Sequence, residues 1–279
     1  MSEHFRAFSF VDRITAVQKG SRIQGRYLIP PGLKDFPSSL AAEAVGQLAA
    51  WAAMEATDFE NRPVAGLAGR IDLLAAARPG QVLEIAADIE SLDAEAVVYR
   101  GHAKIDGRLV VQLEDCVGPM IPVADLDEPA ALRERFAVLC GPGAVPEGFR
   151  GLPPLSLRRT DGENGQCTQA TFEVPAEAAL FEDHFPRRPV FPGSLLMQLT
   201  LELAASLATE ISPPMRRRWR PRTILDMKLR EFIPPGKSLE LEVRLKQRTN
   251  ESVMLAVGSR AGKDMVGSAR LLLAPENDL

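Results

Sequence analysis

The chain has 279 residues, 46% hydrophobic and 25% charged, the balance of a soluble protein able to bury one large core or two ordinary ones. A net charge of −4 gives no electrostatic footprint for nucleic acid. The three cysteines, Cys116, Cys140 and Cys167, are odd in number and lack metal-ligand spacing, which argues against a disulfide framework or a zinc site and for a reducing cytoplasm.

The opening Met-Ser-Glu-His-Phe-Arg carries no basic stretch followed by an apolar run, so no secretory signal is expected. No later stretch reaches membrane-spanning length without interruption by charge. Ser38 to Thr57 is rich in Ala and Leu and apolar nearly all round, which predicts a helix buried inside the fold, with Ser at its start as the expected cap. Pro79-Gly80 then marks a turn feeding a strand that runs to Ile89, and Asp106-Gly107 a hairpin between two further strands. Residues 124–154 are rich in Pro and Gly around a short charged helix, Pro129 to Leu139, and read as a linker.

Beyond it the pattern repeats. Ser194 to Thr209 is a second apolar helix, Pro235-Gly236 a second turn feeding a strand, and Ala261-Gly262-Lys263 a second hairpin turn. The offsets agree, 235 − 79 = 156 and 262 − 107 = 155. A constant offset across turn, strand and helix predicts a duplicated unit, residues 1–123 and 155–279. Each unit is α+β, with an antiparallel sheet curved around one buried helix.

Immediately before the second helix stands Asp183-His184-Phe185-Pro186-Arg187-Arg188-Pro189-Val190-Phe191-Pro192-Gly193. This segment closely resembles the active-site signature of the β-hydroxyacyl-acyl-carrier-protein dehydratases, which have the hotdog fold. Their pattern is H-F-P-x-x-P-x-x-P-G, with an acidic residue fourteen positions after the His and often a Gln four later. The resemblance implies a fused double hotdog. It also implies a lyase that removes water from a 3-hydroxyacyl thioester on acyl carrier protein to give a trans-2-enoyl product, in fatty acid or polyketide/polyene synthesis.

One departure from that pattern is decisive. Fourteen residues after His184 comes Gln198, and an amide cannot donate the proton that a leaving hydroxyl needs. The first half aligns to the same motif from Pro30 to Glu43 and puts Glu43 at the acid position and Gln47 at the Gln position. There Ile29 stands in place of the His and Ser38 in place of the Gly. Because sites in the family lie between two hotdogs, the resemblance implies that His184 and Glu43 share one complete site, and that Ile29 and Gln198 share an inert one.

His184 suits the base, since imidazole titrates near neutrality. Glu43, set among Leu40, Ala41, Ala42, Ala44 and Val45, is expected to be shielded from water, which favours a proton-bearing acid. Gly193 opens the helix, and its N–H is expected to face the thioester oxygen where the helix dipole favours negative charge. Gln47, one turn after Glu43, is positioned to orient the carboxyl, and Phe185 and Pro192 are expected to contact substrate. Glu202, one turn past Gln198, lies about 6 Å along the helix from the acid position, too far for catalysis. His4, at a terminus expected to be loose, and His102, in a strand, have no motif around them and are set aside.

Arg216, Arg217, Arg218, Arg220 and Arg222 form a basic cluster in an acidic chain and make a candidate dock for the acidic carrier. The carrier would present its acyl group on phosphopantetheine. No dinucleotide fingerprint or metal-ligand cluster implies a cofactor, and no nucleic-acid module accompanies the arginines. Two double hotdogs could pair again as a homo-oligomer. Two rival readings are a hotdog thioesterase, which would not need the extended motif, and a non-catalytic acyl-binding or partner subunit.

Overall fold

The computed structural model describes residues 4–146, 148–211 and 219–275. The first half opens with strands β1 (Arg13–Gln18) and β2 (Arg22–Leu28), followed by helix α1 (Ser38–Ala56) and the short strand β3 (Asn61–Pro63). Strands β4 (Leu67–Leu73), β5 (Val82–Leu92), β6 (Ala96–Ile105) and β7 (Arg108–Pro122) complete it. Two helices follow, α2 (Val123–Leu126) and α3 (Pro129–Cys140). The second half runs through β8 (Arg158–Glu163), β9 (Cys167–Glu173), a 3-10 turn at Ala179–Glu182 and helix α4 (Gly193–Glu210). It ends with β10 (Trp219–Leu229), β11 (Ser238–Arg248), β12 (Val253–Ala261) and β13 (Asp264–Pro275).

The strands form one antiparallel sheet in the order β1-β2-β5-β6-β7-β4-β10-β13-β12-β11-β9-β8, with β3 paired to β7. The order reads the same from either end once halves are exchanged. The seam is the pairing of β4 with β10, where Ile71 faces Ile224 and the Thr223 hydroxyl donates to Asp72 Oδ1 at 2.7 Å. The architecture is a double hotdog, α+β. The two helices also pack on each other, so a single core spans the halves.

Local chemistry accounts for the elements. In β11, Leu239, Leu241 and Val243 are buried while Ser238, Glu240 and Arg244 are exposed, the period of two that lays one face on a helix. In α1 the apolar stretch is buried on several sides, from Leu40 and Val45 to Trp51 and Met54. Its close approach to the sheet depends on Gly101 in β6. A Cβ there would lie 2.5 Å from Val45 Cγ1 and 2.6 Å from the Ala86 carbonyl. The hairpin joining β6 to β7 turns on Asp106 and Gly107, both at positive φ, as the Asp-Gly pair predicts.

The serines do not cap the helices. The cap positions are Pro37 and Pro192, neither helix has a side-chain cap, and Ser38 is already helical. Proline's fixed φ suits the entry to a helix, and burial of the helix supplies the stability a cap would add. The segment between the halves is also more than a tether. Leu126, Leu132, Leu139 and Phe149 are buried, and Ala144 N–H donates to Asp12 O at 2.7 Å. No described helix is long and apolar enough to cross a membrane.

Candidate active site

His184 follows the 3-10 turn, and its backbone N–H donates to Leu180 O at 2.9 Å. The chain then folds back on itself, so Val190 N–H donates to His184 O at 2.9 Å. In return the imidazole Nδ1 lies 2.8 Å from Val190 O. A carbonyl only accepts, so this bond assigns the proton to Nδ1 and leaves the Nε2 lone pair free. The ring is stacked on Phe185, with centroids 4.2 Å apart, and meets Phe8 edge-on at 5.9 Å. Burial pushes the imidazole below its ordinary pKa, and the charge of Arg62 acts the same way. Glu43 and the Val190 bond oppose that shift.

Glu43 comes from the other half. It is half-buried rather than wholly enclosed, because one side of α1 borders a cavity. Gln47 Nε2 donates to Glu43 Oε1 at 3.0 Å and to Phe8 O at 2.9 Å, while Gln47 Oε1 accepts from Phe10 N–H at 2.8 Å. One amide thus ties the carboxylate to the backbone of the N-terminal segment.

The cavity, of about 140 Å³, is walled by both halves. Glu43 and Gln47 line it from α1, and His184, Phe185 and Gly193 from the second half. Gly46 and Ala50 continue the wall along α1, and Tyr99 adds to it from β6. Pro192 does not line it; its carbonyl accepts from Leu195 and Leu196 N–H at 3.1 and 3.2 Å. A Cβ on Gly193 would sit 2.2 Å from Leu229 Cδ1, so the Leu229 side chain would have to move to admit one.

The mirror positions are arranged differently. Ile29 is fully buried, and neither Ile29, Gln198 nor Glu202 lines the cavity. Gln198 Nε2 donates to Glu202 Oε1 at 2.9 Å, Gln198 Oε1 accepts from Ser39 Oγ at 3.2 Å, and Glu202 is exposed.

Several residues of this wall carry no signal in the sequence. Asp183, next to His184, is buried and accepts from the N–H groups of Phe5 and Phe8 (the latter at 2.6 Å) and from Ser9 Oγ at 3.1 Å. Burial pushes its carboxyl up, and those bonds pull the other way. His4, expected to be loose, lies 3.2 Å from Asp127 Oδ2. Asp127 is buried and also lies 3.4 Å from Arg62. Of the arginine cluster, Arg220 is exposed and Arg222 half-buried at the start of β10, while Arg216, Arg217 and Arg218 lie outside the described residues. Among the described residues, no group of three or more His, Cys, Asp or Glu is placed to hold a metal ion.

A family model described as ApeI-like dehydratase matches residues 160–268. The 3-hydroxyacyl-acyl-carrier-protein dehydratase FabZ of Lactiplantibacillus plantarum is 32% identical over 114 residues, 39% of this chain and 78% of the relative. The chain belongs to the hotdog-fold dehydratase family. The Vibrio cholerae FabZ is likewise 32% identical over 120 residues, covering 42% of this chain and 78% of that one. Solved structures extend the match over both halves of this family member. A MaoC-like dehydratase superposes with a TM-score of 0.56 at 11% identity, covering 94% of this chain and 99% of its own. A 12:0-ACP thioesterase from Umbellularia californica also gives 0.56, at 9% identity, covering 91% and 94%. At such identities these likenesses show the fold alone.

Proposed function

We propose that this hydro-lyase eliminates water from a 3-hydroxyacyl thioester carried on acyl carrier protein, at one composite site of His184 and Glu43. One observation carries the reading: the two residues come from different halves yet line the same cavity, whereas their counterparts Ile29 and Gln198 do not. Nε2 of His184 takes the proton from the carbon beside the thioester carbonyl, and negative charge develops on the carbonyl oxygen. The N-terminus of α4 at Gly193, whose first N–H groups make no bond within the helix, suits that charge. Glu43 gives its proton to the 3-hydroxyl, the C–O bond breaks, and water leaves with a trans-2-enoyl thioester. His184 is then an imidazolium and Glu43 a carboxylate, so one proton passed between them resets the site.

The carrier-borne substrate is supported by the FabZ relatives, whose names specify it. Arg220 adds an exposed positive charge suited to an acidic carrier. The test is turnover of 3-hydroxyacyl carrier protein over a range of chain lengths, followed by mass for loss of water. Enoyl product is the expected result. Free acid as the product would make the protein a thioesterase, and an inert protein that still binds acyl carrier protein would make it a non-catalytic subunit.

A further inference from the structure

Arg62 occupies an unusual place for an arginine. It belongs to β3, the three-residue strand, and its guanidinium carbon lies 4.4 Å from the centroid of the Phe185 ring. Phe185 in turn lies flat on His184, with rings inclined by 23°. Guanidinium, phenyl and imidazole therefore form one stack at the cavity wall. Behind it, Asp127 lies 3.4 Å from Arg62 Nη1 and is itself 3.2 Å from His4. Arg62 Nε is buried without a hydrogen-bond partner among the described residues. A buried guanidinium with an unsatisfied N–H is costly, so its place here calls for a reason beyond packing.

We propose that Arg62 is a positioning residue for His184, acting through Phe185 and tethered by Asp127. The inference rests on His184 being the base. A cation over Phe185 holds that ring by its quadrupole, and the ring in turn holds the stacked imidazole, whose Nδ1 is bonded to Val190 O. Rotation of the imidazole would cost the Val190 bond and the stack together.

The fixed charge has a second consequence. A neighbouring cation disfavours imidazolium, so Arg62 helps keep His184 able to accept a proton. Other charged groups bordering the same cavity are Glu43 on α1, Asp127 before α3, Arg135 on α3, Asp183 beside the His, and Glu231 after β10. Of these, Glu43 opposes Arg62 most directly, since it favours the imidazolium.

The experiment compares wild type with Arg62→Lys, Arg62→Met and the double variant Arg62→Met/Asp127→Asn, which removes both members of the buried pair. Two readouts are taken: the pH profile of kcat/KM with 3-hydroxyacyl carrier protein, and the NMR titration of the His184 imidazole, assigned with His184→Ala. Removing the cation makes imidazolium easier to form. The acid limb and the NMR midpoint are therefore both expected to rise in the Met variants, by roughly 0.5–1 pH unit. Arg62→Lys keeps the charge but not the planar stack, so its midpoint is expected to stay while kcat falls several-fold. A fixed midpoint in both Met variants overturns the inference, even if turnover drops, because a merely structural arginine would lower activity at every pH. If His184→Ala turns over like wild type, it is the base assignment that has failed, and the NMR midpoint still reports on Arg62.

Discussion

The two central helices carry the same pair of side chains in opposite order, and the difference shows how one fold holds an ordered carboxylate and a merely solvated one. On α1, Glu43 precedes Gln47. The amide there is fixed by three hydrogen bonds, two of them to the backbone of the N-terminal segment, and it holds the carboxylate at the cavity. On α4, Gln198 precedes Glu202. The same i, i+4 bond forms at almost the same length, yet the carboxylate ends in solvent while the amide faces Ser39. Order along the helix decides which group looks inward, and tertiary contacts decide whether it is fixed.

The entry to each helix differs more. From the end of the second strand to the first helical residue is 38 − 28 = 10 positions in the first half and 193 − 173 = 20 in the second. The extra residues form the 3-10 turn and the loop that presents His184. Without them Ile29 stays in line with the sheet. Its N–H donates to Gln81 O at 3.0 Å, its carbonyl accepts from Gly80 N–H at 2.9 Å, and its side chain is buried completely.

Exchanging residues between the halves tests this comparison. The largest effect is expected from His184→Ala and from Glu43→Gln, each lowering kcat by about 10³-fold, as loss of a general base or acid does. A chain in which either keeps near-normal turnover would end the composite-site reading. Next, Ile29→His with Gln198→Glu, placed in a His184→Ala background, is expected to restore no turnover, since position 29 is fully buried with its backbone bonded to Gln81 and Gly80 and does not line the cavity. Recovery of enoyl product would mean that residue type alone builds a site.

Smaller changes sharpen the picture. Gly101→Val forces side-chain atoms into Val45 and should cost roughly 1–3 kcal/mol of stability, read by urea denaturation with no change of fold by circular dichroism. Unaltered stability would show that α1 can retreat from the sheet. Gln47→Ala removes the group that orients Glu43, and a fall in kcat of about 10-fold with little change in KM is expected. Glu202→Gln is expected to change turnover by less than about 2-fold, because its charge is solvated and outside the cavity. A large loss there would reassign the acid to α4.

Much of this was legible from local pattern. Apolar stretches announced both helices, Pro-Gly and Asp-Gly pairs announced the turns, and the H-F-P-x-x-P-x-x-P-G run announced the loop bearing His184. Gln47 was legible because four residues on a helix make one face. The helix caps were misread: Ser38 and Ser194 look like caps by type, but the prolines before them set the entry. His4 looked like a frayed terminus, since nothing beside it in sequence reveals Asp127 more than a hundred residues away.

The order of the residues therefore determined the duplication, the α+β class, and the separation of His184 and Glu43 between two halves. Those depend on spacing and periodicity, which a chain carries before it folds. Tertiary structure decided that Glu43 and His184 share a cavity, that Asp183 fastens the N-terminal segment beside it, and that Arg62 lies over the Phe185 ring. Such contacts join segments distant in sequence, and they exist only once β4 meets β10 and the two helices close on one another, because burial and charge act through space rather than along the chain.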